Sequence, residues 1–291
     1  LACGSVNKTT LAVSSFSAVG PLDNFGRTFP DIAGVGNNVT SIQLDTLAGQ
    51  IDSGTSMSSP MIAGGAALVR QAVPTITAQQ TKAVLLNTTK GTQTSRNSYG
   101  LGVMDCDAAV VQALAGQYFT ISMVPSARVE NRTFTVPTTR NMRITATWMH
   151  PPGATFDNVD MRVYNGATLV ASDLNTLNSY EHVDFTAQGG VSYRVELTWV
   201  GTAVRSTLPV SVAGFTELPP AVPVLTSATP SPLVNGTHQL VTLNGSFDQI
   251  DRIDFGTLPI TTFTQVSSTQ LTFSLPLPCP QGSVPVSVHN V

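Results

Sequence analysis

Near residue 117 the periodicity of this chain changes, and that change limits what each part can fold into. Beyond Gln117 apolar residues return at every second position. In MRITATWM, Met142, Ile144, Ala146 and Trp148 alternate with Arg143, Thr145 and Thr147. In VSYRVELTWV, Val191, Tyr193, Val195, Leu197 and Trp199 alternate with Ser192, Arg194, Glu196 and Thr198. A period of two places each set on one face of a strand. VDMRVY repeats the pattern through Val159, Met161 and Val163, then meets Asn165-Gly166, a strong hairpin signal. Short alternating strands at this spacing predict an antiparallel sandwich over residues 117–217. ELPPAVPV follows as a linker, since its prolines can join neither a helix nor a central strand. Residues 218–291 are a second all-β stretch, signalled by LNGSF, IDFG and VPVSVHNV. That stretch still reads as strand at Val291, and Leu1 is not a Met, so both ends are expected to be cut points within a longer protein.

Residues 1–116 follow another rule, with Gly-rich loops interrupted by helical patterns. PTITAQQTKAVLLNTT places Thr77 as an N-cap, with Val84 and Leu85 on an apolar face. Asp107–Ala115 predicts another helix, ended by Gly116. The expected fold class is therefore α/β followed by two all-β sandwich domains.

Charge excludes several functions. Only 11% of the chain is charged, against the usual ~25%, and 14 Lys and Arg face 17 Asp and Glu without a basic run. This speaks against nucleic-acid binding and against a polybasic membrane anchor. The longest clean apolar stretch, Met61–Val69, is far below the ~20 residues that span a bilayer. Ser and Thr supply the polarity instead, a habit of secreted or cell-surface proteins. Cys3, Cys106 and Cys279 lack metal-ligand spacing, leaving open one disulfide with a free thiol or three buried thiols. Asn-x-Ser/Thr sequons at Asn7, Asn38, Asn87, Asn131, Asn235 and Asn244 inform only if the source glycosylates its secreted proteins.

The chemistry concentrates in DSGTSMSSP, residues 52–60, which runs into the small apolar segment MIAGGAALV. A neutral serine is a poor nucleophile until a base takes its proton, and the resulting oxyanion needs donors aimed at it. A helix N-terminus supplies such donors. Gly54 lets substrate backbone approach, Pro60 is expected in the first turn, and Ala63–Ala67 are expected to let the helix pack buried inside a sheet. The plainer alternative is a serine-capped, Ala/Gly-rich buried helix without catalysis.

Gly54-Thr55-Ser56-Met57-Ser58-Ser59-Pro60 followed by Met61-Ile62-Ala63-Gly64 resembles the nucleophile segment of the subtilisin-like serine proteases. Ser15-Phe16-Ser17-Ala18-Val19-Gly20-Pro21 resembles their SxFSxxGP loop, and Phe29-Pro30-Asp31-Ile32-Ala33 their PDI segment. Tyr99-Gly100-Leu101-Gly102-Val103-Met104-Asp105 resembles their closing glycine strand. The resemblance implies the C-terminal part of a parallel-sheet peptidase domain, with Ser56 as nucleophile and Gly54, Thr55 and Ser56 as the oxyanion loop. Departures are Met61 where the family has His, and Gly34-Val35-Gly36 where it has APG. The family orders its triad Asp, His, Ser, yet His150, His182, His238 and His289 all follow Ser56. Asp23, Asp31, Asp45 and Asp52 lack the family's aspartate motif. The base, its orienting Asp and the side-chain oxyanion donor are expected upstream of residue 1. An α/β-hydrolase order, which a downstream His150 or His182 would permit, fails because Ser58 stands where the GxSxG elbow needs Gly.

The β regions carry weaker likenesses. Residues 118–215 resemble sandwich domains found behind secreted bacterial proteases, and 219–291 resemble the IPT/TIG immunoglobulin-like fold through LVTLNGSF, IDFGTLPI and VPVSVHN. Asp157, Asp160 and Asp173 are candidates for a structural calcium cluster, against the plainer reading of solvated strand-end carboxylates. No other cofactor is expected. Tyr164, Tyr180, Trp148 and Trp199 are candidates for a carbohydrate platform, against ordinary core packing. The expected function is a serine endopeptidase acting on protein or peptide substrates, this chain being inactive alone. The alternative is a surface-binding or adhesion protein with a dead protease-like part.

Overall fold

A computed structural model of the chain describes residues 1–21, 27–44, 48–90, 96–149, 157–201, 205–215, 224–229, 239–247, 250–267, 269–275 and 284–290, with 224, 251 and 290 by backbone alone. The chain divides into two compact units, Leu1–Glu217 and Leu218–Val291.

The first unit begins with a parallel pair. β1 (Cys3–Asn7) runs beside β2 (Ile32–Asn37), Cys3 opposite Ile32 and Val6 opposite Val35. Val103 adds a parallel bridge to Ala33. β3 (Val39–Ile42) and β4 (Gly49–Asp52) form an antiparallel hairpin that leads into α1 (Thr55–Ala72). Next come α2 (Ala78–Asn87), the single turn α3 (Arg96–Tyr99) and α4 (Cys106–Leu114). Thr77 caps α2 reciprocally: its hydroxyl accepts from Gln80 N while the Gln80 side chain accepts from Thr77 N. α4 starts one residue before the sequence pattern because Asp105 caps it, accepting from Ala108 N.

Two expectations about α1 are corrected. The helix is not enclosed: Ser58, Ile62, Gly65 and Val69 form one buried stripe, while Met61 and Leu68 stay 43% and 51% exposed. Among the described residues the parallel sheet has two named strands, so the stripe facing it is covered and the opposite side is not. Pro60 is the sixth residue of α1 and not part of its first turn, because the helix already starts at Thr55.

The rest of the first unit is the expected antiparallel sandwich. Its strands are β5 (Tyr118–Met123), β6 (Val129–Thr135), β7 (Arg140–Trp148), β8 (Asn158–Asn165), β9 (Thr168–Asp173), β10 (Tyr180–Ala187), β11 (Ser192–Val200) and β12 (Leu208–Ala213). They pair in the orders β10-β7-β12-β5 and β6-β11-β8-β9. Met142, Ile144, Ala146 and Trp148 meet Val159, Met161, Val163, Tyr193, Val195, Leu197 and Trp199 in one core, and Val191 packs at its margin. Asn165 pairs with Thr168 across a turn whose Gly166 has a φ of 57°, a left-handed value that favours glycine.

The alternation predicted a solvated outer face for β7, but Thr145 and Thr147 are fully buried as well. The reason is α2, which lies on that face and on β12. Gln79 Nε2 donates to the carbonyls of Thr147 and Pro209, both at 2.9 Å, and Lys82 Nζ donates to Ser179 Oγ at 3.0 Å. Tyr180 and Ala213 join the core built by Ile32, Ile62, Val69 and Val84.

Among the described residues the second unit has two antiparallel sheets. β13 (Val224–Thr229), β14 (Leu240–Ser246), β17 (Thr264–Ser267) and β18 (Gln270–Ser274) pair in the order β13-β14-β18-β17. β15 (Ile250–Phe255), β16 (Leu258–Ile260) and β19 (Val286–Asn290) pair as β16-β15-β19. Val241, Leu243, Leu271 and Phe273 of one sheet share a core with Ile253, Phe255 and Ile260 of the other.

Candidate active site

The first turn of α1 is fixed by backbone. Gly54, extended, donates its N–H to Gly36 O at 2.8 Å, and its carbonyl accepts from Met57 N at 3.0 Å and Ser58 N at 3.4 Å. Ser58 is fully buried and its hydroxyl donates to Gly4 O at 2.6 Å, tying the helix to β1. Ser56, two residues earlier on the turn, is exposed and lines a groove of about 770 Å³ with Met57, Pro60, Met61 and Leu68. The two serines differ because a helix turns ~100° per residue, so one faces the sheet and the other solvent.

This arrangement suits a developing oxyanion. A helix leaves its first amides unpaired; those of Thr55 and Ser56 have no partner among the described residues, and the helix dipole favours negative charge beside them. Pro60 has no N–H to give the Ser56 carbonyl, its partner in a regular ladder.

The chain's described histidines are committed elsewhere. His182 is buried in the sandwich, its Nδ1 2.7 Å from Thr145 Oγ1 and its Nε2 3.1 Å from Asp184 Oδ2. His289 lies in the second unit, 2.8 Å from Asp254 and 3.2 Å from Ser287. Asp31 is buried and accepts from Arg27 Nη2 at 2.9 Å and Ala2 N at 2.8 Å, while Asp52 accepts from Ser53 N at 2.8 Å. His150, His238, Asp23 and Asp45 lie outside the described residues, as do Cys279, Asn235 and most of the proline linker.

A polar cluster that the sequence did not signal lies between the helices and the sandwich. Arg143 donates through Nη1 to Thr89 O and Thr89 Oγ1 and through Nη2 to Leu101 O, while its Nε meets Asp184 at 2.9 Å. Arg96 pairs with Asp173 at 2.8 Å and donates to His182 O. Burial pushes the His182 pKa down, opposed by its hydrogen bond to Asp184. Burial alone would raise Asp184, but His182 and Arg143 outweigh it and hold that carboxyl at about 2. Burial, reinforced by the neighbouring Asp173, pushes Glu181 up to about 10. In the sequence Arg143 and Thr145 read only as the polar alternates of MRITATWM and His182 only as a histidine following Ser56, and nothing local marks Asp184.

The carbohydrate platform is corrected: Trp148 and Trp199 are buried between the two sheets, and Tyr180 is buried on the opposite face of its sheet, against the helices. Tyr164 is half-buried under the Arg194 guanidinium, 4.2 Å from its ring centre. Each carboxylate weighed for calcium has a protein cation: Asp157 pairs with Arg205, Asp160 with Arg162 and Asp173 with Arg96. Among the described residues no three His, Cys, Asp or Glu are grouped to hold a metal. Cys3 and Cys106 are half-buried free thiols. Asn87 is buried and bonded to Gln112 and Thr145, so that sequon is not presented. Among the described residues no helix is long and apolar enough to cross a membrane.

Residues 1–102, which contain Ser56 and the strands beneath it, match the model of the subtilase family. Serine protease AprX of Bacillus subtilis (strain 168) is 35% identical over 112 residues, covering 34% of this chain. The chain spans about a quarter of that relative's length, 25%. A solved structure, the pre-peptidase C-terminal domain of collagenase from Bacillus anthracis, covers 33% of this chain and 86% of its own at 13% identity. Its TM-score of 0.27 is too low to bear on the fold.

Proposed function

We propose that this chain is the nucleophile-bearing part of a subtilisin-like serine endopeptidase. Ser56 attacks the scissile carbonyl, the Ser56 N–H is one oxyanion donor, and an acyl-enzyme forms and is hydrolysed. The observation that carries this reading is the exposure of Ser56 on a helical first turn, inside the segment similar to subtilases. The described histidines have partners of their own, His182 with Thr145 and Asp184 and His289 with Asp254, and all four histidines follow Ser56 in the chain, so we assign the base and its carboxylate to sequence outside these 291 residues. The chain alone is then inactive. Its low charge favours a secreted or cell-surface setting, and its substrates are proteins or peptides. We read 117–217 as a β-sandwich that shares part of its interior with the helices before it, and 218–291 as an IPT/TIG-like module, supported by the paired antiparallel sheets in each.

The test is cleavage of an unstructured peptide by the protein encoded by the whole gene, with melting temperatures recorded. Ser56→Ala is expected to lower kcat by several powers of ten without loss of folding. Ser58→Ala and Ser59→Ala are expected to cost about tenfold or less. Ser56→Ala retaining a tenth of the activity would defeat the assignment. A wild-type protein inert towards peptides and fluorophosphonates would favour a binding scaffold instead.

A further inference from the structure

The serine's helix starts on bare backbone. Gly34 and Gly36 are two apart on β2, so both face the same way, towards the first turns of α1. A Cβ on Gly36 would stand 2.5 Å from Gly54 O and 2.5 Å from Ser5 Oγ. One on Gly34 would stand 2.7 Å from Ser58 Oγ and 3.1 Å from two carbons of Ile62. Neither glycine has a left-handed φ, so distance and not conformation excludes a side chain at both.

We propose that Gly36 is a positioning residue for Ser56, with Gly34 in a lesser supporting role. The inference rests on Ser56 being the nucleophile. The atom that a side chain at 36 would strike is the carbonyl on which the first turn is built, since Met57 N and Ser58 N both donate to it. Gly54 N is also bonded to Gly36 O, so strand and turn are fixed at this one point. Ordinary contact begins at about 3.4 Å, so a methyl there drives Gly54 O away by close to 1 Å. Ser56, two residues along the same turn, moves with it. The misplacement of a reacting group by ~1 Å costs about 10²-fold in rate. At Gly34 the obstacles are side-chain atoms, which yield more easily, and the loss is smaller.

The experiment uses the protein encoded by the whole gene. It measures kcat and KM on an unstructured peptide, the rate of Ser56 labelling by a small fluorophosphonate, and the folded fraction by circular dichroism. Gly36→Ala is expected to lower kcat and the labelling rate together by about 10²-fold while KM changes less than about twofold. Adding Ser5→Gly removes the hydroxyl obstacle and leaves the carbonyl one, so it is expected not to restore the rate. Gly34→Ala is expected to cost about tenfold, and adding Ser58→Ala, which removes the closest obstacle and leaves the Ile62 carbons, to recover part of that loss relative to Ser58→Ala alone. A folded Gly36→Ala protein with wild-type kcat overturns the proposal, and so does its rescue by Ser5→Gly. If Gly36→Ala does not fold, the Gly34 pair decides: an unchanged kcat in Gly34→Ala, or failure of Ser58→Ala to recover any of the loss, overturns the proposal. Ser56→Ala separates the two readings. Retained activity there removes the nucleophile and this inference with it, whereas an inactive Ser56→Ala beside a fully active Gly36→Ala removes the inference alone.

Discussion

Glu181→Gln should stabilise the first unit, and by an amount that grows with pH. Glu181 is fully buried at the start of β10, where its Oε2 accepts from Asn175 N at 3.3 Å. Its Oε1 has no hydrogen-bond partner among the described residues. Asp173 beside it is already held by Arg96 and His182 N. Burial first and Asp173 second raise its pKa to about 10 from an ordinary 4.5. The folded chain therefore keeps this carboxyl protonated at neutral pH, while the unfolded chain releases the proton. A raised pKa contributes its full stability below the unfolded value and loses it as pH climbs towards the folded one. The slope is ~1.4 kcal/mol per pH unit, which accumulates to about 3 kcal/mol by pH 7. The amide introduced by Glu181→Gln keeps the shape and offers Asp173 an N–H without ionising. The two proteins should be nearly equally stable near pH 4.5 and differ by about 3 kcal/mol at pH 7. Urea unfolding followed by tryptophan fluorescence reads this directly, because both tryptophans, Trp148 and Trp199, sit in the sandwich core. Parallel pH curves for the two proteins would refute the reasoning.

Three further outcomes are expected. His182 has a lowered pKa, so the unfolded chain takes up a proton first. The His182 contribution should fall away as pH drops below 6.5, so His182→Gln should gain stability relative to the wild type between pH 7 and pH 5 in urea titrations, the Glu181 contribution being common to both proteins. Arg143→Met strands the Thr89 carbonyl, leaves Leu101 O only the Thr89 hydroxyl and Asp184 only His182; it should cost about 2 kcal/mol and lower Tm by roughly 6 °C in calorimetry. Thr77→Ala removes half of the reciprocal cap of α2 and should cost about 1 kcal/mol, with Thr77→Ser recovering most of it.

What was legible in the sequence was whatever one local pattern decides. Tyr193, Val195, Leu197 and Trp199 share a buried face because a strand has a period of two. Thr77 caps α2 because its hydroxyl reaches an orphan amide. What escaped depends on partners distant in the chain. Thr145 and Thr147 read as solvated until α2 covers them, and the Arg143, His182 and Asp184 cluster follows from that cover. The separation of Ser56 from Ser58 was foreseeable from helical geometry, but the burial of Ser58 needs Gly4, far away on β1. The openness of α1 was not foreseeable from MIAGGAALV, since a small apolar segment says only what a helix can pack against. The floor of Gly34 and Gly36 is equally silent in sequence, where two glycines in a strand read first as weakness.

The way α2 lies across β7 and β12 decides where this polypeptide can be divided. A cut near residue 116 would pass through one continuous interior, stripping Tyr180 and Ala213 from the helices and leaving Thr145 and Thr147 bare on the sheet. The Glu217–Leu218 boundary separates the two compact units instead. The serine-bearing helices and the eight-stranded sandwich are thus a single cassette, to be truncated, grafted or recombined together. A library that shuffles sandwiches behind a fixed Ser56 segment would have to carry along α2 residues such as Gln79 and Lys82, which read the sandwich they are paired with.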